Sequence, residues 1–411
     1  MKYIIFLGDG MADLPVPQLG GQTPLMVARK PHMDRIARSG LAGLVTTVPA
    51  GLAPGSDTAN MAVMGYDPKI YYTGRSPLEA ISMSIDMQPE DIAFRCNMVT
   101  LSDADAFSDR VMLDYSSDEI GSDEAARLIE QLNEAFADDH IRFYPGKSYR
   151  HCMIWKKGPL EIGLVPPHDI LTRQIGDYLP VGTGAERILS MMEESSRLLP
   201  EHPVNKARVK RNLNPANTAW IWGHGTRPRL PVLADRFNIK GSVISAVDLV
   251  NGLGICAGLH VVEVPGATGN IHTNFNGKAE AAIHEFSRGQ DYVYLHVEAP
   301  DECGHRAEVE NKVKSIELID QHIVGPVWEY LEMQRQETGE DYRLLLLPDH
   351  PTPLTLRTHT SDPVPFAVYS SDRREHLPAA AYDELSCEQT GYRLDKGHKL
   401  IEYLIRSGFQ K

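Results

Sequence analysis

The chain has 411 residues, 42% of them hydrophobic and 23% charged, which is typical of a water-soluble protein with two domains. Its formal net charge of −14 gives no electrostatic basis for binding nucleic acid or an anionic membrane. No apolar stretch approaches the roughly 18 residues of a membrane span, and Asp9 interrupts the apolar start where a secretory signal would continue. Five scattered cysteines, never spaced as CxxC, argue against a disulfide framework and favour a reducing, cytoplasmic compartment.

Short apolar segments rich in β-branched or aromatic residues recur along the chain and predict buried strands. Between many of them lie amphipathic stretches of helical length, such as Ala279–Ser287 and Val313–Arg335. This alternation predicts an α/β fold with a mostly parallel sheet that helices cover on both faces. The predicted strands are, in chain order, Tyr3–Leu7, Leu41–Val48, Ala219–Trp222, Ser242–Val247, His260–Val264, Tyr292–Val297, Leu344–Leu347 and Pro365–Tyr369.

The stretch from residue 89 to residue 179 has a different pattern and predicts an inserted α+β domain. It is more polar, alternates at Ile92–Leu101, Ile141–Phe143 and Tyr149–Trp155, and has a helical pattern at Ser122–Ala137. We therefore expect a discontinuous core made of residues 1–88 and 180–411, with the inserted domain between the two parts.

Aspartates follow three of the predicted strands, and histidines accompany two of these aspartates. Ligands of open α/β sheets bind beyond the carboxyl ends of the strands, so we expect these side chains to converge. An acid at a strand end often only caps the next helix, but six such groups together predict a metal site. Oxygen and imidazole ligands suit zinc, manganese or magnesium rather than a thiolate site. The six residues are Asp9, Asp301, His305, Asp349, His350 and His359.

A candidate nucleophile lies in the segment Ala53–Met61. A proline–glycine pair ends a loop there, and Ala59–Met64 then predicts a helix, so Ser56 or Asp57 stands at a helix N-terminus. Unpaired amides and the helix dipole favour an anion at such a position. A serine hydroxyl is a poor nucleophile unless a base or a metal activates it, and a plain N-cap role for Ser56 is the alternative.

Five segments carry a resemblance to a known family: Gly8–Asp13, Gly55–Asn60, Val264–Gly269, His296–His305 and Pro348–His350. Together they resemble the alkaline phosphatase superfamily, and specifically the archaeal-type cofactor-independent phosphoglycerate mutases, over nearly the whole chain. The resemblance implies an alkaline-phosphatase-like core with an inserted cap domain. It also implies interconversion of 3-phosphoglycerate and 2-phosphoglycerate without 2,3-bisphosphoglycerate, through a phosphoserine.

The resemblance further implies two divalent metal ions, with manganese, zinc and magnesium all compatible with the ligands. Two such ions would balance the charges of three aspartates and a serine alkoxide. Cys303, where a small residue is more usual, is interpreted as a spacer. One metal would be held by residues Asp301, His305 and His359, and the other by Asp9, Ser56, Asp349 and His350.

The phosphoryl oxygens and the glycerate need further partners, for which the sequence offers candidates. Substrate phosphate would pass to Ser56 and return to the other hydroxyl while the cap domain excludes water. Each candidate could instead be a solvated or structural residue. The substrate-binding candidates are Lys278 in the core and Arg150, His168 and Arg75 elsewhere, and the acid–base candidates are His151 and Asp169.

Other activities are compatible with the same metal ligands. A homoserine kinase-like phosphotransferase is the nearest alternative, because bacterial chains resembling this subgroup have been proposed as such kinases and cap residues choose the substrate. The chain has no Walker-type loop, which excludes only a P-loop kinase. A phosphatase, a sulfatase or a non-catalytic metal-binding scaffold are further alternatives. We expect a small phosphorylated metabolite as the partner, and the sequence leaves a homo-oligomer open.

Overall fold

The computed structural model describes residues 1–372 and 376–406. Its strands are β1 (Lys2–Gly8), β2 (Leu41–Val45), β3 (Ile92–Leu101), β4 (Met112–Asp114), β5 (Ile141–Tyr144), β6 (Arg150–Trp155), β7 (Ile162–Gly163), β8 (Val181–Gly182), β9 (Thr218–Thr226), β10 (Gly241–Ile244), β11 (His260–Val261), β12 (Tyr292–Val297), β13 (Tyr342–Leu347), β14 (Val364–Ser370) and β15 (Arg393–Leu394).

The α-helices are α1 (Pro24–Val27), α2 (Pro31–Ser39), α3 (Ser56–Val63), α4 (Pro68–Tyr71), α5 (Ser76–Ser82), α6 (Ser122–Phe136), α7 (Ala185–Leu198), α8 (Pro203–Lys210), α9 (Leu233–Phe237), α10 (Asp248–Cys256), α11 (Phe275–Ser287), α12 (Ala299–His305), α13 (Val309–Ile319), α14 (Gly325–Thr338), α15 (Glu384–Glu388) and α16 (Leu400–Arg406). A π-helical turn at Asp320–Val324 joins α13 to α14. None of the described helices has the length and apolarity needed to cross a lipid bilayer.

The chain divides into two compact units. The first unit consists of Met1–Tyr72 and the chain from Arg229 onward, and the second unit is Thr73–Pro228. The second unit is longer at both ends than the stretch of residues 89–179 predicted from the sequence as the inserted domain. The reason is that α5 packs against β3 and that β9 hydrogen-bonds to β3, which brings both flanking segments into this unit.

The first unit is built on a mixed sheet of eight strands among the described residues, in the order β11-β10-β12-β1-β13-β14-β2-β15. All neighbours are parallel except β14, which runs antiparallel to β13 and β2. Every residue of β12 and β13 is buried, as expected for strands covered by helices on both faces. Side chains of α2, α11, α13 and α14 share one apolar core with alternate residues of β1. The predicted α/β fold with a mostly parallel core sheet is confirmed.

The second unit has an antiparallel sheet around β3, which pairs with β6 and β9 along its length and with β4 at its end. Strand β5 completes the sheet beside β6, and β7 and β8 form a separate pair. Ala219–Trp222 was predicted to be a strand of the parallel sheet, and this prediction was wrong. The segment lies in β9, which pairs with β3. Its apolar pattern would be the same in either sheet, so the pattern does not identify the neighbouring strand.

The register of three neighbouring strands determines where the functional side chains meet. Strand β1 lies between β12 and β13, with Gly8 opposite Val297 and Leu7 opposite Leu347. Parallel strands end at the same edge of a sheet, so the segments that follow all three begin side by side. The amide of Asp9 continues the pairing by donating to the Val297 carbonyl at 2.9 Å.

Candidate active site

Three aspartates meet at the carboxyl edge of the first unit's sheet. Asp9 directly follows β1, Asp349 follows β13 by two residues, and Asp301 lies in the first turn of α12, which begins just after β12. Their exposed fractions are 1%, 0% and 5%, respectively, so three carboxylates are withdrawn from water in one place. Burying three negative charges close together is costly unless a cation or a proton compensates them.

The first ligand set gathers around Asp301. His305 is four residues away on α12, and its Nε2 lies 3.2 Å from Asp301 Oδ2. His359 Nε2 lies 3.4 Å from Asp301 Oδ1 and 2.9 Å from His305 Nε2. Asp301 holds the pKa of His305 at about 9, mainly through their hydrogen bond. The structure therefore brings together the three residues expected for one metal.

The second ligand set gathers around His350. Its Nε2 lies 3.3 Å from Asp349 Oδ2 and 3.6 Å from Asp9 Oδ1. Potential ligand atoms of Asp9, Asp349 and His350 all lie within 4.8 Å of one another. Potential ligand atoms of His350, Asp301 and His359 also lie within 4.8 Å of one another, so His350 connects the two sets. It was predicted to belong to one set only.

Ser56 occupies the first turn of α3, next to the second ligand set. Gly55, not Ser56, is the N-cap residue of this helix, and the N-cap residue makes no side-chain capping hydrogen bond. The hydroxyl of Ser56 instead lies 3.1 Å from His350 Nε2. The structure therefore does not support the alternative that Ser56 is only an N-cap.

Asn60 contacts both the nucleophile helix and a metal-ligand candidate, and the sequence analysis did not single it out. Its amide nitrogen donates to the Ser56 carbonyl and to Asp349 Oδ2, both at 2.8 Å. Its amide oxygen accepts from the Tyr294 hydroxyl at 2.7 Å. The available signal was the spacing of four from Ser56, which places both residues on one face of a helix.

His296, the second-last residue of β12, was likewise missed. Its Nε2 lies 2.9 Å from Asp9 Oδ2, and its Nδ1 lies 3.1 Å from the Ser245 hydroxyl. All three side chains are buried. The sequence around His296 does not reveal its partner, because Asp9 follows a different strand that is distant in the chain.

The residues fit a pair of divalent cations. Asp9 Oδ1 is buried and has no hydrogen-bond partner among the described residues. Burial, followed by the carboxylates of Asp349 and Asp301, raises the pKa of Asp9 well above its ordinary value. A cation would relieve both the desolvation and the repulsion. Burial also raises the pKa of Cys303 to about 12, which keeps it a thiol and agrees with its interpretation as a spacer.

Lys278 lies fully buried on α11, behind the end of β12. Its ammonium group donates to the His296 carbonyl at 2.8 Å, and burial lowers its pKa to about 8. In this position it supports the strand end that carries His296. Its predicted contact with a phosphoryl group stays a prediction.

Arg150 and His151, which the sequence analysis considered as a pair, are separated by the geometry of β6. Arg150 is exposed, whereas His151 is 4% exposed. Successive strand residues point to opposite faces, and His151 shares its face with Met153, which packs in the apolar core under α6. His151 Nδ1 accepts from the Gly146 amide at 3.0 Å, and burial lowers the pKa of His151 to about 3. The structure does not place His151 among exposed polar groups.

His168 and Asp169 are exposed side chains of the second unit. His168 Nε2 lies 3.7 Å from Asp169 Oδ1, and the imidazole packs edge-on against Trp222 at 5.3 Å between ring centres. Burial of part of the ring lowers the pKa of His168. The structure thus holds these two candidates side by side.

Glu79 gathers two arginines in the same unit. Arg75 Nε and Arg95 Nε lie 2.8 and 3.0 Å from its two oxygens. The Arg95 guanidinium stacks on Trp222, at 4.4 Å from the ring centre. One carboxylate thus contacts two guanidinium groups.

The mostly parallel sheet and the cluster of candidate metal ligands at its carboxyl edge define the chain as an α/β protein with a candidate metal centre. The family model for 2,3-bisphosphoglycerate-independent phosphoglycerate mutase matches residues 37–205. The enzyme of that name from Methanothrix thermoacetophila is 49% identical over 405 residues, which cover 98% of this chain and 100% of the relative. The chain belongs to the family of 2,3-bisphosphoglycerate-independent phosphoglycerate mutases, as predicted.

Two solved structures have the same fold over their full length. A protein from Pyrococcus horikoshii matches with a TM-score of 0.82 and 26% identity, covering 98% of this chain and 96% of the other. The cofactor-independent phosphoglycerate mutase from Thermoplasma acidophilum matches with a TM-score of 0.66 and 25% identity, covering 99% of each chain.

Proposed function

We propose that this protein interconverts 3-phosphoglycerate and 2-phosphoglycerate in the cytoplasm, without 2,3-bisphosphoglycerate, through a phosphoserine at Ser56. Family membership supports the reaction. The observation that carries the assignment of the nucleophile is the 3.1 Å separation of Ser56 Oγ from His350 Nε2. A hydroxyl at a helix N-terminus and beside a cluster of metal-ligand candidates is well placed to receive a phosphoryl group.

We infer that two divalent cations, manganese, zinc or magnesium, are held by the two ligand sets. When bound, they supply Lewis-acid stabilisation of the phosphoryl oxygens and favour the ionised form of a nearby hydroxyl. The residues that would hold them are Asp301, His305 and His359 in one set, and Asp9, Ser56, Asp349 and His350 in the other.

The chemical steps follow from an ionised Ser56. Its oxygen attacks the phosphorus of 3-phosphoglycerate, the bond from phosphorus to the C3 oxygen breaks, and phosphoserine forms. The departing C3 oxygen takes up a proton from an acid, for which we propose Asp169 or its neighbour His168. The C2 hydroxyl then loses its proton to the conjugate base and attacks the phosphoserine, which regenerates Ser56. A catalytic role for His151 would need this buried side chain to become accessible.

Recognition of the glycerate is assigned to the second unit. Arg150 is exposed, and its guanidinium group lies over the Tyr149 ring at 4.7 Å, which limits the orientations open to it. We propose that Arg150, with the arginines at Glu79, binds the carboxylate, since a guanidinium group can bind a carboxylate through two parallel hydrogen bonds. His168, whose ring packs against Trp222 and Tyr115, adds a polar contact.

The proposal is tested with purified protein loaded with Mn²⁺. We expect an enolase-coupled assay to show turnover of 3-phosphoglycerate with no added 2,3-bisphosphoglycerate and no stimulation when it is added. The parallel assay measures ATP consumption with homoserine, where we expect none. Homoserine-dependent ATP consumption without mutase turnover would replace this function by a kinase activity that uses the same ligands.

A further inference from the structure

Thr352 lies between the two ligand sets and contacts one member of each. It is two residues beyond His350 and is completely buried. Its hydroxyl forms a hydrogen bond with Asp301 Oδ1 and lies 3.2 Å from His350 Nδ1. One hydroxyl group thus joins the aspartate of the first set to the histidine that connects both.

The direction of these two hydrogen bonds follows from the chemistry of the three groups. An ionised carboxylate has no hydrogen to give, so the single hydroxyl hydrogen of Thr352 is donated to Asp301. The hydroxyl oxygen can then only accept from His350, which requires a hydrogen on Nδ1. The opposite tautomer would place two lone pairs against each other at 3.2 Å.

We propose that Thr352 is a positioning residue that holds His350 as its Nδ1–H tautomer, with the Nε2 lone pair directed toward Ser56 and the cation site. A histidine that binds a metal through Nε2 must carry its hydrogen on Nδ1, and the partner of that hydrogen sets the ring orientation. The inference rests on the proposed metal-dependent function and adds to it a residue that links the two ligand sets.

Two glycines leave the space that Thr352 occupies. A Cβ atom on Gly10 would lie 2.5 Å from both Thr352 Oγ1 and Asp301 Oδ1. A Cβ atom on Gly304, which separates Asp301 from His305 on α12, would lie 2.5 Å from the Thr352 carbonyl oxygen. A side chain at either glycine would therefore clash with Thr352.

Lys312 fixes the backbone on which Thr352 stands. Its buried ammonium group donates to the Thr352 carbonyl at 2.8 Å, to Asp13 Oδ2 at 2.7 Å and to the Ala12 carbonyl at 3.3 Å. The Thr352 amide in turn donates to the Ala12 carbonyl at 3.2 Å. All three hydrogens of the ammonium group are used. Lys312 therefore joins the segment after β1 to the segment after β13, next to the contacts that Thr352 makes with the two ligand sets.

The test compares Thr352→Val, which keeps the shape and removes the hydroxyl, with Thr352→Ser, which keeps the hydroxyl. The first measurement is the affinity of the metal-free protein for Zn²⁺ alone, by competition with a chromophoric chelator. We expect Thr352→Val to bind at least one Zn²⁺ about 10–100-fold more weakly, as is typical when the hydrogen-bond partner of a ligating histidine is removed. Thr352→Ser should stay within a few-fold of the unsubstituted protein.

The second measurement is the proton spectrum of the Zn²⁺-loaded protein, labelled at histidine with ¹⁵N. We expect a slowly exchanging Nδ1–H resonance, assigned to His350 by its loss in His350→Gln, in the unsubstituted protein and in Thr352→Ser. It should be absent or rapidly exchanging in Thr352→Val. Thr218→Val, which removes a buried hydroxyl of the second unit, is the matched control and should change neither measurement.

Unchanged Zn²⁺ affinity and an unchanged His350 resonance in Thr352→Val would overturn the proposal. So would equal losses in Thr352→Val and Thr352→Ser, because the effect would then come from packing of the methyl group. Neither measurement involves substrate. A failure of the mutase reaction in the unsubstituted protein is therefore distinguishable from a failure of this inference.

Discussion

The hydroxyl of Tyr294 donates a hydrogen bond of 2.7 Å to the side-chain oxygen of Asn60, and both residues are fully buried. The amide nitrogen of Asn60 is thereby turned toward the Ser56 carbonyl and Asp349. An interior tyrosine of β12 thus orients an amide that connects the nucleophile helix to a candidate metal ligand.

Replacing Tyr294 by Phe should therefore reduce both stability and turnover. The change leaves the buried oxygen of Asn60 without a donor, which costs about 1–3 kcal/mol in the free energy of unfolding. We also expect a lower kcat with little change in KM, because both side chains are fully buried. Urea denaturation and steady-state kinetics measure the two effects.

Tyr292→Phe is the matched control for this substitution. Tyr292 lies two residues earlier on β12, is equally buried, and its hydroxyl has no hydrogen-bond partner among the described residues. Removing that hydroxyl should cost no stability and leave kcat unchanged. Equal effects of the two substitutions would show that Asn60 does not depend on the Tyr294 hydrogen bond.

Ser56→Ala should abolish turnover while the fold is retained. The side chain heads α3 without capping it, so its loss removes no helix-capping hydrogen bond. Removal of a catalytic nucleophile can lower kcat by about 10⁴-fold or more. Mass spectrometry of acid-quenched protein after exposure to 3-phosphoglycerate should detect phosphoserine at position 56 in the unsubstituted chain only. Substantial turnover by Ser56→Ala, with circular dichroism unchanged, would refute the covalent step.

Removing divalent cations should inactivate the protein and lower its melting temperature. Three buried carboxylates then repel one another, as the raised pKa of Asp9 indicates. A ligand present at 100 times its dissociation constant stabilises a folded protein by about 2.7 kcal/mol, and this contribution disappears with the metal. Dialysis against a chelator, followed by differential scanning calorimetry and activity assays, measures both effects. Mn²⁺, Zn²⁺ or Mg²⁺ should restore them, and full activity in the chelator would contradict the proposed metal dependence.

The buried imidazole of His151 should make the stability of the second unit depend on pH. Burial lowers its pKa from 6.5 to about 3, so the unfolded chain binds a proton as the pH falls below 6.5 while the folded protein does not. Stability contributed by the neutral imidazole is present above pH 6.5 and is lost progressively as the pH falls toward 3. By pH 5 the loss is about 2 kcal/mol.

Urea denaturation at pH 8 and pH 5 tests this expectation. His151→Gln cannot take up the proton, so its stability should fall less between the two pH values than that of the unsubstituted protein. His140→Gln alters an exposed histidine of the same unit and should keep the original pH dependence. An identical pH dependence in His151→Gln would show that His151 is not the group responsible.

Much of the architecture and the candidate site was predictable from local patterns. Apolar segments such as Tyr292–Val297 identify buried strands because a strand covered on both faces needs apolar residues at every position. Acids directly after such strands, with His305 four residues beyond Asp301, mark the edge where ligands gather. These features depend only on residues close together in the chain, so the amino-acid sequence by itself determined them.

Other features were decided only by the tertiary structure, because they depend on which distant segments become neighbours. The apolar pattern of β9 does not reveal its pairing with β3, and the alternation of β6 does not reveal that His151 is buried. Likewise, the positions of these residues in the sequence do not reveal that Thr352 contacts both Asp301 and His350. That contact exists because α12 and the segment after β13 meet beside β1, and such a meeting is set by strand order and register.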